Sequence, residues 1–160
     1  MKITVIGIGQ TVRGDDGAGI AAVRKWQESF PHTATRPDVS VHFSELPGLD
    51  LLDLLEGFDA AVLVDALDGG GVPGTIHRLG PDEIAAFASG ARSAHGWGVG
   101  ETLALAQHVN SGLGRIPIRL VGITAEQMQL GAVLSRAVQQ SLPAAAEAID
   151  AEVQRFLAAS

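Results

Sequence analysis

Residues 60–79 read AAVLVDALDGGGVPGTIHRL. The first six, Ala60 to Asp65, form the most strand-like run of the chain. They are small or β-branched with no alternating polar position, the pattern of a strand buried on both faces of a parallel sheet. The glycine-rich link from Asp65 to Thr75 is too short for a helical crossover, because parallel neighbours need about a dozen or more residues between them. Thr75 to Leu79 is therefore expected to run antiparallel to the strand before it, at an edge. The stretch predicts a sheet that is mostly parallel with one reversed edge strand.

The flanking sequence alternates strand and helix signals. Lys2 to Gly9 is apolar and β-branched, like a buried parallel strand. Ala18 to Phe30 has Ile20, Val23, Trp26 and Phe30 at helical spacing. HTATRPDVS, residues 32–40, is read as a surface loop, Val39 to Phe43 as a short strand and Gly48 to Leu55 as a Leu-rich helix. Pro81-Asp82-Glu83 opens a helix through Ala88, with early carboxylates that suit its dipole. Gly98 to Val109 is expected as another helix, Ile118 to Ile123 as the last strand and Leu134 to Gln140 as a short helix. Pro143 to Leu157 is expected as a separate C-terminal helix with proline in its first turn. The sum is an α/β three-layer sandwich over residues 1–160, with about five strands and helices on both faces.

The 160 residues are 46% hydrophobic, enough for a core, and no apolar run reaches the ~20 residues of a membrane span. MKITVIGIG passes directly into strand-like sequence and does not read as a signal peptide. No cysteine is present, which excludes a thiol nucleophile and a cysteine zinc knot and suits a reducing, cytoplasmic setting. The formal charge is −7, with 11 scattered Lys and Arg. Neither a nucleic-acid partner nor a membrane is expected, and a monomer is.

In an open α/β sheet the ligand site lies beyond the carboxyl ends of the parallel strands, where strand order reverses. That rule selects Asp15 and Asp16 after the first strand, Glu45 after the second, Asp65 and Asp68 at the third, and Thr124 and Glu126 after the last. The first loop, GIGQTVRGDDGAG at residues 7–19, has Gly9 and Gly14 at P-loop spacing. Asp15-Asp16 stands where that motif needs Lys-Ser/Thr, and two carboxylates repel a phosphate. They either cap the following helix, or one caps while the other faces the crevice. Asp65 is read as a strand-ending acid that enters the crevice or as a turn acid. Among five histidines, only His95 lies in a glycine frame beside an aromatic, SAHGWGVGE at 93–101. Two carboxylates and an imidazole, from Asp16, Asp65 and His95, suit zinc, nickel or manganese and leave coordination positions open. No H-E-x-x-H or G-x-S-x-G motif offers another chemistry.

GIGQTVRGDDGAG (7–19), GLDLLDLLEGFDAAVLVDALDGGGVPGTI (48–76), SAHGWGV (93–99) and VGITAEQMQLGAVLSRAVQQSLPAAAEAI (121–149) together resemble the hydrogenase maturation endopeptidases. The resemblance implies a five-stranded sheet between helices. It also implies removal of a C-terminal peptide from the precursor large subunit of a nickel-iron hydrogenase once nickel is in place. The family's metal-contacting positions match Asp16, Asp65 and His95. The resemblance thus implies that these three read a nickel carried by the substrate, at a site that zinc or cadmium can also occupy, and serve catalysis. Two departures stand out: Gln10 replaces the family's usual Asn, and Thr124-Ala125 replaces an acid and a proline. The competing expectations are a non-catalytic docking or chaperone module for the same precursor, and a peptidase of the same fold with another substrate.

Overall fold

A computed structural model describes residues 1–45, 49–69, 71–84, 92–93 and 116–160. In chain order the strands are β1 (Ile3–Ile8), β2 (Val39–Ser44), β3 (Ala60–Asp68), β4 (Ile76–Leu79), β5 (Arg92–Ser93) and β6 (Ile118–Thr124). The helices are α1 (Ala18–Ser29), α2 (Pro31–Ala34), α3 (Leu49–Leu55) and α4 (Arg136–Ala158). A helical turn also occupies 81–84.

The sheet order is β2-β1-β3-β6-β4, with the two-residue β5 beside β3. β2, β1, β3 and β6 are mutually parallel, and β4 is the antiparallel edge. β4 does reverse at an edge and runs antiparallel to β3, with β6 as its ladder partner. β6 enters between them, pairing with β3 from Ala61↔Ile118 to Leu67↔Thr124. The glycine link therefore spans one strand's width as well as reversing the chain.

Every residue of β1, and every residue of β3 before Asp68, is buried. One sheet face packs on α1 and α4 through Val5, Val62, Val64, Trp26, Ile149, Val153 and Phe156. Full burial of such a side chain contributes about 1.5–3 kcal/mol. The Trp26 indole N–H also donates to Asp150 at 3.1 Å, joining α1 to α4. The opposite face holds Ile6, Ile8, Leu63 and Leu120 against Leu51 and Leu55 of α3 and Ile84. Helices thus cover both faces.

Two boundaries differ from the sequence expectation. β3 does not end at Asp65 but continues to Asp68, because β6 and then β5 keep pairing it after β1 has stopped at Val64. The two C-terminal helices are one, α4, with Pro143 in its interior. Pro143 is exposed while Val138, Ser141, Ala145, Ile149 and Val153 are buried. The apolar face thus runs past the proline, and its packing offsets the lost backbone hydrogen bond. The expected helix at 98–109, and the part of the 81–88 helix after Ile84, lie outside the described residues.

Candidate active site

Gly9 follows β1 with φ +137°. That conformation favours glycine, and a Cβ there would strike the Asp16 carbonyl oxygen. The loop then folds back on itself. Arg13 N–H donates to the Gln10 carbonyl at 3.1 Å, and Asp16 N–H donates to the Arg13 carbonyl at 3.1 Å. Gln10 N–H donates to Asp16 Oδ2 at 2.9 Å. These bonds that shape the turn use the Gln10 backbone, so its longer side chain leaves the turn intact.

Gly14–Gly17 is a single 3-10 turn leading into α1. Gly19 then lets α1 press on the sheet end, where a Cβ would collide with the carbonyl oxygens of Ile8 and Val64. Val64 precedes Asp65. Asp16 is thereby held over the end of β1, and Asp65 lies within β3 one residue past its last pairing with β1, where strand order reverses; each is 3% exposed. Asp65 Oδ1 accepts the Ala66 N–H at 2.8 Å. No group of three acids or histidines with metal-binding geometry occurs among the described residues. His95, the expected third member, lies outside them. The donor chemistry of Asp16 and Asp65 fits a hard or borderline divalent cation, with oxygen ligands held where water is scarce.

Asp15 has another duty. Neither it nor Asp16 caps α1 through its side chain, contrary to the capping expectation. Asp15 is fully buried and points to the segment after β6. Its Oδ2 accepts from Glu126 N–H at 2.8 Å, Gln127 N–H at 3.3 Å and the Ser135 hydroxyl at 2.7 Å. Its Oδ1 accepts from Ser135 N–H at 2.7 Å. Ser135 Oγ in turn accepts from Val138 N–H at 3.3 Å and caps α4. Backbone bonds from Gly14 to Ala132 and from Gly131 to Val12 complete the seam. The glycine loop and the 125–135 segment are therefore tied together as one wall.

The remaining crevice candidates divide. Ser44 accepts from Gly9 N–H at 3.0 Å, and Thr11 Oγ1 reaches Glu45 at 3.4 Å, so the end of β2 borders the loop. Thr124 is buried with Oγ1 3.0 Å from His77 Nε2, facing the edge strand. Glu126 contributes its backbone to Asp15, and Asp68 is exposed. Sequence reasoning missed Ser135. A serine directly before the helix that starts at Arg136 was a readable N-cap signal, but its tie to Asp15 across 120 positions was not.

The family model for the hydrogenase maturation proteases matches residues 46–152. A hydrogenase expression/formation protein, HupD of Thiocapsa roseopersicina, is 33% identical over 130 residues, covering 81% of this chain and 56% of the relative. The chain thus spans a little over half the length of that relative. The NiFe hydrogenase maturation protease HybD of Thermococcus kodakarensis has TM-score 0.74 at 25% identity, covering 96% of this chain and 99% of that one. The hydrogenase maturating endopeptidase HybD of E. coli has TM-score 0.81, covering 98% and 94%; at 21% identity it speaks for the fold alone.

Proposed function

Because the chain belongs to the hydrogenase maturation protease family, we propose that it is an endopeptidase that removes a C-terminal peptide from the precursor large subunit of a nickel-iron hydrogenase after nickel insertion. The observation that carries this reading is the pair Asp16 and Asp65, two carboxylates 3% exposed at the strand-order reversal. In this reading the nickel arrives in the substrate. Asp16, Asp65 and His95 recognise it, and the precursor's tail is thereby positioned beside the acids. Zinc or cadmium competes for the same donors.

The reaction is hydrolysis of one peptide bond. A carboxylate of the pair takes a proton from water as the oxygen adds to the scissile carbonyl. The carbon–nitrogen bond then breaks and the proton passes to the leaving amine. The seam through Asp15 keeps Asp16 from drifting while a large substrate docks.

Intact-mass measurement of nickel-loaded precursor, beside a nickel-free control, tests this. Loss of a C-terminal peptide is expected only from the loaded sample, and Asp16→Asn or Asp65→Asn should abolish it. Full processing by both variants would sink the site assignment. Binding of the precursor with no mass change would instead make the chain a docking module.

A further inference from the structure

Among the described residues six large apolar side chains stand exposed, and five of them lie at the carboxyl ends of the parallel strands. Val12 follows β1, Phe43 is next to last in β2, Val72 follows β3, and Leu130 and Val133 follow β6. The Arg24 guanidinium lies over the Phe43 ring, but the other four are 60–78% exposed. Single exposed apolar residues are ordinary on a protein surface; five of six at one end of the sheet are not scattered.

The backbone holds these side chains out. The Val12 carbonyl accepts the Gly131 N–H at 2.7 Å, and the Gly14 N–H donates to the Ala132 carbonyl at 3.0 Å, so Val12 and Leu130 are brought alongside each other. The Val133 carbonyl accepts from the Gln127 side-chain amide at 2.9 Å. The Gly74 N–H donates to the Thr124 carbonyl at 2.8 Å, which ties the Val72 turn to the start of the same segment. A surface fixed in this way leaves a partner little ordering to impose.

The position of the surface selects its occupant. Val12 belongs to the loop that Asp16 closes through Gln10, and the rim surrounds the crevice in which Asp16 and Asp65 are buried. Whatever covers the rim therefore also covers the acids. A second copy of this chain seated there would shut its own crevice against any substrate. The formal charge of −7 opposes an anionic lipid surface. The rim is also wide. It spans the neighbouring strands β2, β1, β3 and β6, or three spacings of about 4.8 Å, whereas an extended peptide is one strand wide. A folded protein covers it and a peptide tail does not.

We propose that the apolar rim formed by Val12, Val72, Leu130 and Val133 is the docking surface for the folded body of a protein substrate, whose tail alone enters the crevice. That this substrate is the hydrogenase precursor rests on the peptidase reading. Apolar contact on the rim then selects the partner independently of the metal, and the buried acids act afterwards.

The test therefore uses nickel-free precursor, which that reading leaves uncut, and measures its affinity for the full chain by titration calorimetry. Val12→Ser combined with Leu130→Ser and Val133→Ser should weaken binding about tenfold or more, with circular dichroism melts reporting that the variant is folded. Val72→Ser, on a separate connection, should weaken it about threefold by itself. Glu28→Ser, at the far end of α1, and a synthetic peptide of the precursor's C-terminal segment serve as controls. The first should bind precursor as wild type does, and the second should bind wild type and triple variant alike. Equal precursor affinity of wild type and both rim variants, or no binding of nickel-free precursor by wild type, would overturn the proposal. Equal weakening of the tail peptide would give the rim to the tail and overturn it as well. A wild-type dimer in sedimentation that dissociates in the triple variant would give the rim to a second copy, and rim-dependent binding of anionic lipid vesicles would give it to a membrane; either overturns it. Rim-dependent binding with no cleavage of nickel-loaded precursor would count against the peptidase reading alone, and cleavage without rim-dependent binding would count against the rim alone.

Discussion

Asp15 and Asp16 are neighbours in sequence and opposites in duty. Asp15 takes four hydrogen bonds from Glu126, Gln127 and Ser135 at full burial. Asn at that position replaces one acceptor oxygen by a donor that faces other donors. Asp15→Asn is expected to cost about 3 kcal/mol, lowering the thermal midpoint by roughly 6–12 °C. Asp16 Oδ2 accepts the Gln10 N–H, and an amide oxygen can accept that bond too. Asp16→Asn should keep that bond and cost less stability than Asp15→Asn, while losing precursor processing. Thermal melts of the two variants beside the mass assay check the contrast, and equal melting would contradict the division of labour. Gly9→Ala belongs with Asp15. Its φ of +137° and the Asp16 carbonyl leave no room for a methyl, so a loss of about 2 kcal/mol or more is expected in the same melts. That Asp16 and Asp65 stand where β1 stops was legible in the sequence, because the rule needs only strand order; that Asp65 lies inside β3 was not. The work of Asp15 was not, since its partners lie more than a hundred positions away.

At the scale of elements, the sequence predicted the reversal of β4 correctly because chain length alone forbade a crossover. Its partner was hidden. Nothing local in residues 60–79 says that β6 will lie between β3 and β4. The length of β3 was hidden for the same reason, as the strand beyond Asp65 is held by β6 and β5. In α4 the misleading signal was Pro143, a helix breaker by local rules. The helix continues because the face that meets the sheet is apolar on both sides of it. Pro143 is exposed, so its removal sacrifices no packing. Pro143→Ala restores a donor to the Gln139 carbonyl and removes the ring clash, against some gain in freedom of the unfolded chain. A net stabilisation of about 1–2 kcal/mol is expected in urea unfolding. A destabilised variant would mean that the proline sets a bend that the packing requires.

At the scale of the whole molecule, α4, β4 and β6 converge on one carboxylate. Glu152 of α4 is fully buried, with Oε1 2.7 Å from Arg78 Nε on β4 and Oε2 2.7 Å from Arg119 Nε on β6. Arg119 Nη2 adds a second contact at 3.3 Å. Burial by itself raises the Glu152 carboxyl, but the hydrogen bonds and charges of Arg119 and Arg78 outweigh it and hold the group below 4.5. A carboxylate lowered by folding stabilises the native state above its unfolded pKa. That contribution is lost as pH falls through the lower, folded pKa. Wild type should therefore lose stability as pH falls below the ordinary carboxylate range, partly through Glu152. Glu152→Gln keeps the shape but turns a donor toward the arginines, stranding Arg119, whose side chain is 18% exposed. Its cost near neutral pH is set at about 2–3 kcal/mol, below the range for fully buried pairs because Arg78 is 46% exposed and keeps its hydration. The variant's unfolding free energy should also fall less steeply with acid than that of wild type, so the two curves approach each other at low pH. Parallel curves across that window would mean that the arginines hold Glu152 no differently when folded, and that the junction of helix, edge strand and inner strand depends on apolar packing alone.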